Sequence, residues 1–279
     1  MSSYFSCGKY RLKLGEKTYL MGILNITPDS FSDGGRYDLP EKALAHALQM
    51  QSIGADIIDV GANSTRPGAD ILLEQDELER LKQILPVLQG KLTVPLSIDT
   101  FYPRCAEYAL QHGACIINDV SGKIQQDLCI LAVRYHAGLI AVHNPAGVHG
   151  ASVMSETPDI VSGVRQFFEQ CLQSCSALGL PGESICFDPG IGFSKNQEQN
   201  LQLIRHFKQL KPHPDACMLC AASRKRFIGS LSGEIHPEQR DPGTVAAHTL
   251  AIANGADIIR VHNVHAGIQT VRIADALCR

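Results

Sequence analysis

Three nearly identical segments, each an apolar run that follows a glycine, recur along the chain. They are GADIIDV at 54–60, GACIIND at 113–119 and GADIIRV at 255–261. Each follows a segment with helical periodicity, at 41–53, 104–112 and 245–254. A glycine that ends a helix and leads directly into a continuous apolar run is typical of a helix followed by a buried parallel strand. The repeats therefore predict a chain built from βα units.

Further short apolar runs indicate strands before and between the repeats, at 19–24, 95–98, 139–142, 185–187 and 216–221. Helical patterns alternate with them, at 73–88, 126–135, 161–178, 198–210 and 266–277. Eight strands with intervening helices in 279 residues predict an α/β protein with one domain over residues 1–279, a (β/α)₈ TIM barrel. The alternative is an open doubly wound sheet, which calls for a GxGxxG motif after its first strand, and that motif is absent.

The segment before the first barrel strand alternates between apolar and polar residues. From Tyr10 to Tyr19 the alternation surrounds Gly15-Glu16, which predicts an N-terminal β-hairpin with its turn at these two residues. A hairpin in this position could close the bottom of the barrel.

Composition narrows the possible partners. The net charge is 25 − 28 = −3, so nothing suggests a nucleic-acid surface. No apolar run approaches the roughly 20 residues that span a bilayer, and residues 1–17 lack the apolar core of a secretion signal, so we expect a cytoplasmic protein without membrane partners.

The 10 cysteines are scattered and mostly lie in apolar runs, as expected for small core residues in a reducing compartment. Cys217 and Cys220 form a CxxC motif inside a predicted strand. Positions three apart on a strand point to opposite faces, so we predict neither a metal site nor a redox pair there.

The segment MGILNITPDSFSDGGR at 21–36 carries an unusual loop. Asn25 ends the first apolar strand, and Pro28, Asp29 and the glycine pair at 34–35 predict a loop after it. The loop also contains Ser30, Asp33 and a single aromatic residue, Phe31. Composition alone leaves two interpretations open: a functional loop, or a surface connection with Phe31 packed back onto the barrel.

Polar residues follow almost every predicted strand, and the active sites of such barrels lie at these carboxyl ends. They are Asn25; Asp59 with residues 63–67; Asp99-Thr100; Asn118-Asp119; His143-Asn144; Asp188; Ser223-Arg224-Lys225; and residues 260–263. A single aspartate in this position is often a helix cap. A polar ring at all the strand ends favours an active site.

The ring divides into two chemical groups. Asp99, Asn118 and Asp188 can accept hydrogen bonds from a flat, guanidine-like edge. The cations are Arg66, Lys225, Arg260 and His262, and the ends of the last two strands are a frequent phosphate site in this fold. The sequence therefore predicts a flat amide heterocycle on one side of the barrel mouth and a phosphate on the other.

Seven motifs resemble, in order, those of the dihydropteroate synthases, a family of pterin-binding barrels. They are NITPDSFSDGG, GANSTRPGA, LSIDT, INDVSG, FDPGIGF, SRKRFIG and RVHNV. The chain departs from the family pattern where Asn63 replaces a common Glu, HNP at 143–145 replaces HMQG, Ala221 replaces Gly and Asn263 replaces Asp. These departures concern details of the pocket.

The resemblance implies that 6-hydroxymethyl-7,8-dihydropterin diphosphate condenses with 4-aminobenzoate to give 7,8-dihydropteroate and diphosphate. It implies a pterin site at Asp99, Asn118, Asp188 and Lys225, and a diphosphate site at Asn25, Arg66, Arg260 and His262. It implies an aminobenzoate site at Ser30, Phe31, Thr65, Pro67, Phe193 and Ser223, with catalytic roles for Asp33, Asp99 and Lys225. A Mg²⁺ ion bound by Asn25, a homodimer and a sulfonamide target are further implications of the resemblance.

The loop at 27–36 and the Thr65-Arg66 loop are expected to close over the reacting centre and exclude water. Three other functions stay open. A methyltetrahydrofolate-dependent methyltransferase would share the pterin carboxylates but lack the cations and the TPDSF loop. A Schiff-base aldolase would use Lys225, which lies between Arg224 and Arg226. A non-catalytic pterin-binding paralogue is the third.

Overall fold

The computed structural model describes residues 3–26, 39–63, 71–147 and 159–279. In these ranges the strands are β1 Tyr4–Cys7, β2 Tyr10–Lys13, β3 Tyr19–Asn25, β4 Ile57–Gly61, β5 Leu96–Asp99, β6 Ile116–Asp119, β7 Gly138–Val142, β8 Ile185–Asp188, β9 Cys217–Cys220 and β10 Ile258–Val261. The helices are α1 Leu39–Ile53, α2 Glu74–Leu88, α3 Pro103–Gln111, α4 Gln126–Arg134, α5 Ile160–Ala177, α6 Gln197–Arg205, α7 Arg226–Ser232, α8 Asp241–Ala253 and α9 Val264–Cys278.

Strands β3 to β10 form a closed barrel in sequence order, with β10 returning to pair with β3, and every pair is parallel. The two isoleucines of each repeat explain the layering. The first of each pair (Ile57, Ile116 and Ile258) belongs to the apolar cluster inside the barrel, and the second (Ile58, Ile117 and Ile259) to the cluster between barrel and helices. Strands buried on both faces must be apolar throughout, so the predicted barrel is confirmed.

The joint between helix and strand has the same geometry in all three repeats. Gly54, Gly113 and Gly255 have φ of +122°, +97° and +97°, where a side chain would be strained. In each joint the next residue donates its N–H to a carbonyl five residues back, as Ala55 does to Met50 at 3.0 Å. This is the Schellman motif, which ends a helix and turns the chain directly into the following strand, as the repeats predict.

The N-terminal hairpin exists, but its predicted position is wrong. Strands β1 and β2 pair antiparallel with Tyr4 opposite Lys13, so the turn lies at Gly8-Lys9 and not at Gly15-Glu16. Gly8 has φ +58°, as a tight two-residue turn requires. Gly15, with φ +86°, makes a second turn in the connection to β3. Both glycines make turns, and the four-residue strand β1 is too short to identify from the sequence.

This hairpin closes the amino-terminal end of the barrel. Phe5 is completely buried in the apolar cluster inside the barrel. It fits against Gly138 at the start of β7, where a Cβ atom would lie 2.7 Å from the Phe5 ring. The Gly8 N–H also donates to the His136 carbonyl at 2.7 Å. Closure of the bottom by the hairpin, as expected from the sequence, is therefore confirmed.

Three helical segments differ from the prediction. The predicted helix at 198–210 is divided into α6 and a 3₁₀ turn, Phe207–Leu210. Helix α8 begins at Asp241 rather than at 245, because Pro242 is well suited to a first helical turn. Helix α7 was not predicted, since its seven residues are too few to show a helical period.

The CxxC cysteines lie on opposite faces of β9. Cys217 lies in the cluster inside the barrel and Cys220 in the cluster towards the helices, so the two thiols face apart as predicted, and both are free. None of the helices in the described ranges is long and apolar enough to cross a membrane.

Phe5→Ala should lower the free energy of unfolding by about 3–5 kcal/mol, because it leaves a cavity at the closed end of the barrel. Chemical denaturation followed by circular dichroism measures this. Tyr4→Ala is the matched control, since Tyr4 is the neighbouring, partly exposed residue of β1, and it should lower stability by only about 1 kcal/mol. An equal loss in both variants would contradict the role of Phe5 as the plug.

Candidate active site

A buried ion network forms the floor of the barrel mouth. Arg260 at the end of β10 donates from Nε to Asp59 Oδ2 at 2.6 Å and from a terminal guanidinium nitrogen to Asp99 Oδ2 at 2.8 Å. Asn118 donates from Nδ2 to the same Asp59 oxygen at 3.2 Å. Side chains from β4, β5, β6 and β10 therefore meet at one point above the apolar interior.

The network holds its charges against a large desolvation penalty. Burial raises the pKa of Asp99 to about 7, and Asp59 and Glu77 add to this, while Arg260 opposes it. Burial disfavours the charge of Arg260, but Asp59 and Asp99 outweigh that and raise its pKa. Asp59 Oδ1 and Asp99 Oδ1 are both buried, and neither has a hydrogen-bond partner among the described residues. Buried acceptors without partners indicate a site completed by a ligand.

Asp188 at the end of β8 supplies another buried carboxylate. Its Oδ1 accepts the Gly190 N–H at 2.7 Å, which fixes the orientation of the carboxylate. Burial raises the pKa of Asp188, while Lys225 and the Gly190 N–H oppose this shift. Asp188 is therefore a fixed acceptor beside a cation.

Lys225 follows β9 and extends its ammonium group into the mouth. Nζ donates to the Ile191 carbonyl and lies 4.2 Å from the centroid of the Phe193 ring. Burial lowers the pKa of Lys225 to about 8, while Asp188 opposes this shift. The aliphatic stem passes over Gly192, where a Cβ atom would lie 2.6 Å from the lysine Cδ. Lys225, Phe193 and Asp188 are thus brought together by one loop.

Two residues beside this cluster have backbone conformations that side chains rarely adopt. Ser194, after Phe193, has φ +51°, and Arg224, before Lys225, has φ +58°. Arg224 is held there by two hydrogen bonds to the Asp241 carboxylate, at 2.7 and 2.9 Å. Strained backbone of this kind persists where surrounding contacts determine it, and it is frequent at functional sites.

Ser223 and His262 join the ends of β9 and β10. The His262 backbone N–H donates to Ser223 Oγ at 3.1 Å, and His262 Nδ1 lies 3.0 Å from the same oxygen. These contacts orient the imidazole through Nδ1, so that Nε2 is on the opposite edge of the ring. The two predicted site residues are therefore neighbours.

Asn25, the last residue of β3, was predicted to bind Mg²⁺. A Cβ atom at Gly61 would lie 3.6 Å from Asn25 Oδ1 and 3.8 Å from Asp99 Oδ2, so both oxygens border the space above Gly61. No cluster of three or more His, Cys, Asp or Glu side chains suited to a metal exists among the described residues. A single amide oxygen fits a Mg²⁺ ion that takes its other ligands from substrate phosphate and water.

The predicted separation of acceptors and cations does not hold for Arg260. Its guanidinium contacts Asp99 directly, because two buried carboxylates need a counterion within the barrel mouth. Asp59, which has no assigned role in the sequence analysis, is the other half of this ion pair. The only feature of the sequence that points to Asp59 as a site residue is its position near the end of a buried strand.

Other predicted site residues lie outside the described ranges. They are Ser30, Phe31, Asp33, Thr65, Arg66 and Pro67. The loop at 27–36 and the Thr65-Arg66 loop, which were expected to close over the centre, therefore stay predictions.

The departures from the family pattern have structural partners. Asn63 accepts the Leu72 N–H at 3.2 Å and donates to Glu77 at 3.3 Å. Asn263 caps α9 and donates to Asp241 at 2.9 Å.

Asn144 donates to the Val120 carbonyl at 3.2 Å. His143 packs edge-on against Phe167 of α5, and burial lowers the pKa of its imidazole to about 3. The three asparagines that depart from the family pattern therefore connect different segments around the barrel mouth by hydrogen bonds. His143 is a neutral side chain that packs against α5.

Sequence reasoning missed Glu77. This carboxylate is completely buried in α2, where it bonds to Thr100 after β5 and to Asn63 after β4. Burial raises its pKa, and both hydrogen bonds oppose that shift. The available signal was its position on the apolar face of α2, in line with Leu81, Ile84 and Leu88.

Comparisons with known proteins agree with this geometry. The Synechocystis dihydropteroate synthase is 40% identical over 100% of this chain and 98% of its own length. The solved dihydropteroate synthase of Xanthomonas albilineans with 4-aminobenzoic acid is 35% identical, with a TM-score of 0.90 over 99% of this chain and 98% of its own. That of Burkholderia cenocepacia, complexed with 7,8-dihydropteroate, is 33% identical with a TM-score of 0.89, over 99% of this chain and 96% of its own.

The model of one protein family matches residues 21–262, which include most of the barrel and the strand-end residues from Asn25 to His262. The match covers the parts of the chain that carry the buried ion network, Asp188 and Lys225. The chain therefore belongs to the family of pterin binding enzymes.

Proposed function

We propose that this protein catalyses the dihydropteroate synthase reaction of folate biosynthesis. It would join 6-hydroxymethyl-7,8-dihydropterin diphosphate to 4-aminobenzoate and release 7,8-dihydropteroate and diphosphate. The observation that carries the proposal is the convergence of Asp99, Asn118, Asp188 and Lys225 in one buried barrel mouth, with carboxylate oxygens that lack partners among the described residues. The full-length relatives named dihydropteroate synthase support it.

The pterin ring suits these acceptors. Its 2-amino group and ring N3–H form a planar pair of donors, for which a carboxylate is the matching acceptor. Asp188 Oδ1 is held by the Gly190 N–H, so we assign Oδ2 to this edge of the ring. Asn118, which both donates and accepts, and Asp99 would contact the opposite edge. Lys225 would donate to an acceptor atom of the ring.

The reaction breaks a carbon–oxygen bond before or as a carbon–nitrogen bond forms. Departure of diphosphate leaves positive charge on the pterin methylene, which the electron-rich ring delocalises. The buried carboxylates Asp99 and Asp59 would stabilise that charge in a medium where electrostatic interactions are strong. The neutral aromatic amine of aminobenzoate then attacks with its lone pair and loses a proton. No side chain needs to activate it.

The diphosphate would lie towards Asn25 and His262, with Arg66 contributing from outside the described residues. A Mg²⁺ ion on the Asn25 amide oxygen would neutralise the leaving diphosphate. Phe193, which contacts Lys225, and Ser223, which contacts His262, lie in the loops that follow β8 and β9, and we assign both to aminobenzoate.

We also propose that the protein forms a homodimer. Leu250 on α8 and Ile273 and Leu277 on α9 are 57%, 63% and 76% exposed, and these two helices pack against each other. The resemblance implies a homodimer, and we assign these two helices to its interface. Sedimentation equilibrium tests this: a single species of 30.3 kDa at micromolar concentration would exclude a stable dimer.

Incubation of the protein with the dihydropterin diphosphate and aminobenzoate tests the proposed reaction directly. Dihydropteroate and diphosphate should appear in equal amounts, and chelation of Mg²⁺ with EDTA should suppress both. Diphosphate release without dihydropteroate would indicate hydrolysis instead of condensation. Absence of both products with Mg²⁺ present would refute the function.

Asp188→Asn should weaken pterin binding by about 1–3 kcal/mol. The amide oxygen would keep the hydrogen bond to the Gly190 N–H, so the new NH₂ group would face the N–H donors of the ligand. Calorimetry with a pterin ligand measures the change. Asp257→Asn is the control, because Asp257 is also buried but lies at the other end of the barrel, where it binds Lys211. Unchanged affinity in Asp188→Asn would remove Asp188 from the pocket.

Arg260→Ala and His262→Ala should have different effects. Removal of Arg260 leaves Asp59 and Asp99 buried without their counterion, which should lower stability by about 3–5 kcal/mol and further raise the pKa of Asp99. A more protonated Asp99 should bind a bare pterin less well. His262→Ala should weaken diphosphate binding and leave the bare pterin unaffected. Calorimetry with each ligand separates the two effects, and wild-type pterin affinity in Arg260→Ala would contradict the shared role of Arg260.

A further inference from the structure

Lys195 is a buried cation that the mechanism above does not use. Its side chain is 7% exposed, and Nζ lies 3.0 Å from each of three backbone carbonyls, those of His143, Gly190 and Phe193. An ammonium group has three N–H donors, so these carbonyls use all of them. A charge-assisted bond to each carbonyl offsets part of the cost of burial.

The three carbonyls belong to the loops that follow β7 and β8. The two loops touch through their backbones, because a Cβ atom at Gly190 would lie only 2.0 Å from the His143 oxygen. Converging carbonyl dipoles repel one another, and a cation at their centre removes that repulsion. The β8 loop is also bent by positive φ at Gly190 (+65°), Gly192 (+82°) and Ser194 (+51°). Lys195 therefore holds together a strained loop and its neighbour.

The same β8 loop orients the groups assigned to the pterin. The Gly190 N–H fixes Asp188 Oδ1 at 2.7 Å. The Ile191 carbonyl accepts from Lys225, and the Phe193 ring lies under the Lys225 ammonium. The Gly190 N–H and the Phe193 ring belong to the same two residues whose carbonyls bind Lys195. Movement of either carbonyl would therefore displace a group that contacts Asp188 or Lys225.

We propose that Lys195 is a positioning residue, whose ammonium clamps the β7 and β8 loops and thereby fixes the orientation of Asp188 and Lys225. The proposal rests on the proposed function only for the identity of the ligand. Burial lowers the pKa of Lys195 to about 7, with the charge of Lys225 adding to the shift.

The first test needs no ligand. In a Lys195→Met variant, the amide proton of Gly190 should shift upfield in nuclear magnetic resonance spectra, because its hydrogen bond to Asp188 lengthens. Lys211→Met is the matched control, since Lys211 is a mostly buried lysine at the other end of the barrel, 3.1 Å from Asp257 Oδ2. That variant can lose stability but should leave the Gly190 signal in place. An unchanged Gly190 signal in Lys195→Met would overturn the proposal.

The second test measures affinity by calorimetry. Lys195→Met should weaken binding of a bare pterin by roughly tenfold or more, because small displacements of positioned groups are expensive. Binding of inorganic diphosphate with Mg²⁺ should change less than about twofold. Pterin affinity within twofold of wild type would overturn the role of Lys195. Failure of the wild-type protein to bind pterin would instead refute the proposed function, while the Gly190 signal would still decide the clamp.

Lys195→Gln covers the case in which the methionine variant does not fold. Its amide can serve at most two of the three carbonyls, so the Gly190 shift and the loss of pterin affinity should both be smaller than for methionine, yet measurable. Wild-type values for both quantities in a folded Lys195→Gln protein would equally overturn the proposal.

Discussion

The ion network of Arg260, Asp59 and Asp99 is the constraint on which the barrel mouth depends. Two carboxylates and one guanidinium are buried together, and burial disfavours the charged forms of Asp99 and Arg260. The contacts of Arg260 with Asp59 and Asp99, at 2.6 and 2.8 Å, oppose that effect of burial. Well-packed apolar residues would serve stability as well or better in such a place. The network is therefore better explained by what it offers a ligand than by what it adds to folding.

The barrel stays folded despite the cost of burying these charges, because apolar layers lie beneath and around the ion network. Strands such as β4 and β9 are buried along their whole length, and the hairpin residue Phe5 fills the end of the barrel opposite to the mouth. The apolar residues that stabilise the fold thus lie towards the closed end of the barrel, and the polar residues of the candidate active site lie at its mouth. The separation permits two buried carboxylate oxygens, Asp59 Oδ1 and Asp99 Oδ1, that have no hydrogen-bond partner among the described residues.

Local patterns predicted the barrel and most of the residues in its mouth. Each repeat contains a glycine that ends a helix and, directly after it, an apolar strand that is buried on both faces. Both features depend on neighbouring residues, so the sequence shows them. Pairing across the mouth is not local. The contact of Arg260 with Asp59 joins residues 201 positions apart, and nothing in the sequence indicates which charge balances which. The predicted position of the hairpin turn is wrong for a related reason. Gly8 and Gly15 both make turns, and only the pairing of β1 with β2 determines that the hairpin turn is the one at Gly8.

Two lysines from different loops donate hydrogen bonds to backbone carbonyls of the loop that follows β8. Lys225 reaches the Ile191 carbonyl from β9, and Lys195 reaches the Gly190 and Phe193 carbonyls from the loop's own end. Each lysine has a pKa that burial lowers, and Lys225 lowers that of Lys195 further. Asp188 opposes both shifts, so its charge acts on both lysines. A ligand that takes hydrogen bonds from Lys225 and gives them to Asp188 would alter the charge balance that Lys195 experiences. On the proposed role of Lys195, ligand binding and the contacts of Lys195 would therefore be linked through Asp188.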